Sequence, residues 1–491
     1  MVLTLISVGI VIIIIVILWP KSHNIPGPRG YPLIGNIFDM PRSNASERFA
    51  KLRAKHGDVV YLSVFAQGII VLNSQKAAMD ILGTKAEVSA GRPVLTMASE
   101  LSGYDRFLAL HQHTDRHRYG RTYLHGAIGP QRARDYAPAQ EEQSLRFLRK
   151  LLEDPGDFEE HCKWIVAASI LLITYGHIAL DVNDPYIEAS SGVMQRFSEA
   201  AKPGRWFVDL IPPLKHIPSW FPGTYFKKFA AVCRTHAREA FEKPFLSVKQ
   251  QMKEGVARKS LVASYLETSV EGTTEEEEFI MFTMGDLFGA GLHTMSSGVS
   301  SFFLAMAMNP AAQAKAQAEI DAVCDHHNRL PTFADKSALP YVEALVWEVL
   351  RWGAITPLGL PHRFTEDVTY QGLKIKKDMH AFANIGGICF DPELYPEPEM
   401  FRPERFLGPN PQPDPRKTVF GFGRRLCPGN ALAEQTIFII IASTLAAFNI
   451  EPRKGETYSI SRTDGVIAHN EPFFVDITVR SQAAKDVIST C

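Results

Sequence analysis

The sequence predicts a mostly α-helical protein with a minor β portion, built as one large domain behind a single N-terminal membrane-spanning helix. Three observations carry that prediction: an uncharged apolar run over residues 2–19, long helical apolar patterns through the middle and C-terminal parts, and only a few short strand-like runs. Nothing in the 491 residues reads as a repeat, a low-complexity tract or a Ser/Gly-rich linker, so one domain is preferred over several.

From Val2 to Trp19 the chain is rich in Leu, Ile and Val and carries no charge. Eighteen such residues rise roughly 27 Å as a helix, enough to cross a thin bilayer. Pro20 ends the run, and Lys21 and His23 place positive charge after it. That charge keeps the remainder of the chain on the cytosolic side. A cleaved secretory signal fits less well, because no charged residue precedes the run and no small-residue cleavage site follows. The Asn44-Ala45-Ser46 sequon is then a chance match, since a cytosolic domain does not meet the glycosylation machinery. Pro26, Pro28 and Pro32 lie close together; they prevent helix and favour an extended arm. The expected division is an anchor at residues 1–20, a proline-rich linker at 21–40 and the main domain at 41–491.

Within that domain, Glu47 to Lys55 reads as a helix, and Val59–Val64 and Ile69–Leu72 as strands, being β-branched and apolar. Residues 138–310 are mostly helical by pattern, broken by prolines at 212, 213 and 222. A long apolar helix is expected from Glu277 to Met308, stopped by Asn309-Pro310. Further helices fit Ala311–Cys324, Tyr341–Trp352 and Asn430–Phe448, and short strands with proline-rich loops fill 355–420.

With 52 Lys plus Arg against 53 Asp plus Glu, the chain lacks the basic footprint that nucleic acid requires. The six cysteines, Cys162, Cys233, Cys324, Cys389, Cys427 and Cys491, are scattered and show no metal-finger spacing. So few in so long a chain argue against a disulfide framework and for a reducing compartment.

Cys427 stands apart. It lies in Phe420-Gly421-Phe422-Gly423-Arg424-Arg425-Leu426-Cys427-Pro428-Gly429, directly before a helical pattern. Glycines at 421, 423 and 429 permit backbone conformations and close approaches that side chains forbid. A cysteine ahead of a helix start sits among free N–H groups, which favours thiolate. Such a thiolate can ligate iron, and its electron donation favours O–O cleavage.

The segment resembles the haem-binding loop of the cytochrome P450 family, Phe-x-x-Gly-x-Arg-x-Cys-x-Gly, at every fixed position. The resemblance covers essentially the whole chain and implies the cytochrome P450 fold, a single large haem domain, with Cys427 as axial ligand to haem b. It implies that Phe420, Gly421 and Gly429 shape the haem loop and that Arg425 binds a propionate. His362, in Leu360-Pro361-His362-Arg363, resembles a second propionate partner. Arg116 to Arg121 looks like the family's Trp-Arg-x-x-Arg helix, which makes Arg121 a third, although His117 stands where tryptophan is usual. Glu348 and Arg351, three apart on one helix face, match the family's Glu-x-x-Arg pair, and Arg405 in Phe401–Phe406 would complete a structural triad.

Ala290-Gly291-Leu292-His293-Thr294 resembles the family's oxygen groove, where small residues leave room for dioxygen. Thr294 can donate a hydrogen bond to dioxygen and order a proton-carrying water; alternatively its hydroxyl bonds back to a carbonyl one turn earlier. His293 departs from the usual carboxylate, and an imidazole can relay protons as well. Residues 95–110, 203–222, Phe288, Ala290, 355–360 and Val466-Ile467 are candidate pocket walls, mostly apolar, so a lipophilic small molecule is expected. The chain is most similar to fungal secondary-metabolism members, the O-methylsterigmatocystin oxidoreductase-like group, and stretches at 204–209, 220–223 and 414–417 look like the fungal tryptamine 4-hydroxylase.

The function so implied is a monooxygenase inserting one atom of O2 into a lipophilic molecule. Electrons would come from NADPH through NADPH–cytochrome P450 reductase, with cytochrome b5 a further candidate donor. The location would be the endoplasmic reticulum membrane. Three alternatives remain at this point: a haem-thiolate isomerase or dehydratase needing no external electrons, a haem- or ligand-binding protein without turnover, and a membrane-tethered structural protein that binds no haem.

Overall fold

The structure is a computed structural model that describes residues 24–65, 67–202, 204–268, 273–324 and 329–490. The expected membrane span at 1–20, and residues 21–23 of the expected linker, lie outside the described residues. The chain divides into two compact units. The first holds the described residues up to Pro93 together with Thr356–Glu399 and Asp414–Leu426; the second holds Val94–Ile355, Met400–Pro413 and the described residues from Cys427 onward.

The first unit carries most of the β structure. Helix α1 (Ala45–His56) leads into β1 (Val59–Val64) and β2 (Gln67–Leu72), which pair antiparallel with Val60 opposite Val71. Later in the chain come β3 (His362–Arg363), β4 (Val368–Tyr370), β5 (Leu373–Ile375) and β6 (His380–Ala383). One four-stranded sheet runs in the order β1-β2-β6-β3, with β6 parallel to β2. β4 and β5 form a separate hairpin closed by Gln371 and Gly372, both at positive φ, as a two-residue type I′ turn requires. Phe49 of α1 packs with Leu62, Ile69 and Val71 from the sheet, which buries the apolar face that the β-branched runs foretold. Residues 25–36 run along this sheet without helix: Pro26 O accepts from Tyr61 N at 2.7 Å and Asn36 N donates to Ser63 O at 2.5 Å.

The second unit is helical. Its longer helices are α2 (Asp115–Ile128), α3 (Ala137–Glu153), α4 (Phe158–Tyr175), α5 (Pro185–Ala200), α6 (Tyr225–Lys253), α7 (Thr274–Met308), α8 (Pro310–Val323), α9 (Pro340–Gly353) and α10 (Asn430–Ala447). β7 (Phe448–Pro452) and β8 (Val475–Val479) make a small antiparallel pair. α7 is the axis: α4, α5, α6, α9 and α10 all pack on it.

The expected long helix is present but starts earlier than Glu277. Thr273 and Glu276 form a reciprocal capping box, and Glu275 to Glu277 place negative charge where the helix dipole favours it. The stop at Asn309-Pro310 falls where the sequence put it. α10 is long and apolar enough to cross a membrane by length and composition. It is instead a core helix, with Ile437 to Ala442 and Leu445 to Ala447 buried against the rest of the unit.

Candidate functional site

In the first unit the cations gather around one short segment, Ser89–Arg92, where the helical turn Ala86–Ser89 ends. His362, at the start of β3, is buried, and its Nδ1 lies 2.9 Å from Ser89 O. A carbonyl only accepts, so Nδ1 carries the hydrogen and Nε2 is left for another partner. Arg425 Nε donates to Ala90 O at 2.8 Å. Arg92 Nη1 donates to Leu360 O and Pro361 O, each at 2.8 Å. Burial pushes His362 down to about 3, and the charges of Arg92 and Arg425 push the same way. Two buried guanidiniums and an imidazole therefore share one small region, and these hydrogen bonds run to backbone carbonyls.

The loop leading to the cysteine is shaped by its glycines unequally. Gly421 (φ +82) and Gly423 (φ +57) are left-handed. A Cβ at Gly423 would also run into the carbonyl oxygen of Leu82. Gly429 has an ordinary negative φ and serves differently, through its backbone N–H. Phe420 precedes the loop half-buried, and Phe422 is buried.

In the second unit Cys427 is a half-buried residue just ahead of α10, its sulfur served by the Gly429 N–H. Burial pushes its thiol up; the Gly429 N–H and the Arg121 charge oppose that, and Asp286 adds to it. The helix start alone was expected to favour thiolate, but here burial outweighs it. A bound metal cation would reverse the balance, since a coordinating thiol loses its proton. Arg121 on α2 is half-buried, and burial lowers its pKa against the Cys427 charge. His117, one turn earlier, is buried, with its Nδ1 3.4 Å from that of His113. Arg116 faces outward instead, paired with Glu275 at 2.6 Å.

On α7, Asp286, Ala290 and Thr294 are spaced four apart and share a face. Ala290 leaves its surface open, whereas Phe288 is buried in the packing. Thr294 Oγ1 donates to Ala290 O at 2.8 Å, the back-bonded state, which leaves its oxygen able to accept. The carboxylate of Asp286 accepts from Ala109 N at 3.0 Å and from Leu108 N, and burial raises it to about 6. His293 is pushed down to about 4 by burial, with smaller contributions from His469 and Lys163.

Glu348, Arg351 and Arg405 come together with no side-chain exposure. Glu348 Oε2 accepts from Arg351 Nε at 2.8 Å. Its Oε1 accepts from Arg351 Nη2 and Arg402 N at 2.8 Å and from Arg405 Nε at 3.0 Å. Such a carboxylate is fully used and holds α9 to the Met400–Phe406 segment.

Sequence reasoning missed Arg92, Asp286 and His469. Each is a lone polar residue without motif spacing, and only packing reveals its neighbours. The donor set fits a haem. Among the described residues no three His, Cys, Asp or Glu side chains converge as a bare ion would need. One thiol, met by the Gly429 N–H and the Arg121 charge, suits iron carried by a macrocycle rather than a bare ion.

Comparison with known proteins agrees. The family model described as cytochrome P450 matches residues 25–477. Cytochrome P450 monooxygenase 208 of Postia placenta is 39% identical over 472 residues, covering 94% of this chain and 92% of that protein. Cytochrome P450 monooxygenase claR of Ampulloclitocybe clavipes is 36% identical, covering 94% and 88% respectively. The multifunctional cytochrome P450 monooxygenase af510 of Aspergillus fumigatus is 32% identical, covering 95% and 90%. A match over most of the chain, joined to a cysteine whose sulfur meets the Gly429 N–H and the Arg121 charge, leads to one conclusion: this chain belongs to the cytochrome P450 family and is a haem-thiolate monooxygenase.

Proposed function

We propose that the thiolate of Cys427 would hold the iron of haem b and that the chain hydroxylates a lipophilic small molecule in fungal secondary metabolism. The observation that carries this reading is the cysteine itself, met by the Gly429 N–H and the Arg121 charge just before α10. When bound, the haem supplies activation of dioxygen, one atom of which enters the substrate while the other leaves as water.

The chain's own residues do the rest. Arg425, His362 and Arg121, with Arg92 as an addition, neutralise the propionates. For His362 this means gaining a proton on Nε2, which a nearby carboxylate would favour. Phe420 and Gly421 shape the approach to the cysteine, and Gly429 directs its N–H at the sulfur. Thr294 swings its hydroxyl from Ala290 O to hold a proton at the groove, and His293 passes protons to it. Glu348, Arg351 and Arg405 keep the supporting core rigid and take no part in chemistry.

Electrons come from NADPH through NADPH–cytochrome P450 reductase, with cytochrome b5 as a second donor. Residues 1–20 anchor the chain in the endoplasmic reticulum membrane with residues 41–491 as the cytosolic catalytic domain. The exposed Phe207, Ile211, Trp220 and Phe221 support a lipid-facing surface. The reduced carbon monoxide difference spectrum of yeast microsomes containing the protein tests the ligand. A strongly red-shifted Soret band is expected, and it should vanish in Cys427→Ala. Haem bound with no such band in the wild type would refute the assignment. Product formation independent of NADPH would favour the isomerase or dehydratase instead.

A further inference from the structure

His293 is half-buried on α7, and its Nε2 is a buried atom with no hydrogen-bond partner. A buried nitrogen left unmet is destabilising. The ring of His469 lies 6.3 Å away between centroids and almost perpendicular, at 83°. That spacing is too wide for a direct N–H···N bond and short enough for one bridging water.

His469 is held there by design of the loop that bears it. Ser297 Oγ on α7 donates to Ala468 O at 2.6 Å. Asn470 Nδ2 donates to Ser300 Oγ at 3.1 Å and Ser301 Oγ at 3.2 Å. Ala468 N donates to Ile355 O at 2.8 Å, and His469 N donates to Thr463 Oγ1 at 3.0 Å. Four fastenings thus fix the residue on either side of His469, and His469 itself is half-buried, with surface still open to solvent. Lys163 on α4 is the other charged group acting on His293, and it lies 3.8 Å from Glu160. Burial holds both imidazoles below their ordinary value, so each is neutral at neutral pH, with one N–H and one lone pair.

We propose that His469 is the outer member of a two-imidazole proton path that runs from solvent through His469 and a bridging water to His293, and so to the groove at Thr294. The inference rests on the reading of residues 290–294 as the dioxygen groove. Each step is balanced. A proton bonds to the lone-pair nitrogen of one ring as the N–H on the other nitrogen breaks, releasing its proton inward. The bridging water accepts one proton and gives up another, and no electrons move. The path supplies what a carboxylate would supply at position 293, by a route that enters beside α4 and the 463–470 loop.

The test uses full-length holoenzyme with reductase and NADPH, comparing wild type with His469→Gln and His469→Glu. Gln keeps size and hydrogen bonding but cannot be protonated, whereas Glu restores a proton-passing group. In His469→Gln the share of NADPH electrons recovered as hydrogen peroxide should rise about threefold or more, with a larger solvent isotope effect. His469→Glu should recover the wild-type share. Imidazole C2–H exchange read by mass spectrometry gives a second measure free of turnover: the His293 titration should shift upward once His469 is replaced. A peroxide share in His469→Gln equal to wild type, or an unmoved His293 titration, would overturn the path while leaving the Cys427 assignment standing. A wild-type protein that lacks the red-shifted carbon monoxide band would overturn the site reading and the path together.

Discussion

Glu348 is the residue whose removal the structure lets us weigh most directly. Glu348→Ala deletes a carboxylate that accepts four hydrogen bonds, from Arg351 Nε and Nη2, Arg405 Nε and Arg402 N. Both guanidinium side chains are wholly enclosed, so two positive charges would remain buried beside one another. Breaking a buried pair in this way costs about 3–5 kcal/mol. That is a large part of a total stability of about 5–15 kcal/mol, and at about 1.4 kcal/mol per tenfold the unfolded fraction should rise on the order of 10²–10⁴-fold. Glu348→Gln should fall between. Its amide oxygen can take the position of Oε1, where three of the four bonds converge, but its NH2 would then face Arg351 Nε. Urea unfolding of the purified holoprotein, followed in parallel by the Soret band and far-ultraviolet circular dichroism, reads the order. Wild type should exceed Glu348→Gln, and Glu348→Gln should exceed Glu348→Ala. A stability for Glu348→Ala within about 1 kcal/mol of wild type would refute the reasoning, because the pair would then be replaceable by solvent.

Gly423→Ala should cost more than about 2 kcal/mol: the left-handed conformation alone costs about 1–2 kcal/mol, and the new Cβ meets Leu82 O and, at 2.8 Å, Ala86 Cβ. Its measure is the fraction of purified protein that still gives the red-shifted carbon monoxide band, which should drop sharply. His380 on β6 is pushed down to about 4, first by burial and then by the Arg363 charge, against Asp378. A folded value below the ordinary 6.5 means the unfolded chain takes up the proton first. The stability that neutral His380 contributes is therefore whole above pH 6.5 and lost as pH falls toward 4, by about 2 kcal/mol at pH 5. His380→Phe should flatten urea midpoints between pH 7 and 5, and an unchanged slope would count against it. Asp286→Ala removes the acceptor for Ala109 N and Leu108 N, so those amides should exchange hydrogen about tenfold faster or more; unaltered exchange would show that the turn holds without the carboxylate.

What was legible in the sequence was local. Long apolar helical patterns marked α7 and α10, β-branched runs marked β1 and β2, and proline punctuation marked the end of α7 at Met308. The cysteine loop was legible because its function demands fixed spacing between glycines, arginine and sulfur within ten residues. Glu348 and Arg351 were three apart on one helix, so their pairing followed from helix geometry. The early start of α7 was missed because Thr273 and Glu276 are ordinary polar residues until a helix end needs them.

Tertiary structure decided everything that depends on distance in space rather than along the chain. Ser89–Arg92 collects His362 and Arg425 from segments some 270 and 335 residues away, a meeting that no local pattern encodes. Cys427 was expected to favour thiolate from its place before a helix, yet burial, a property of the whole surround, pushes the thiol the other way. His293 could be named from its position in a motif, but its orphaned Nε2 and its neighbour His469 exist only because the 463–470 loop is fastened onto α7. Short-range sterics and hydrogen bonding write themselves into adjacent residues, whereas desolvation and long-range charge are set by whichever segments the fold brings together.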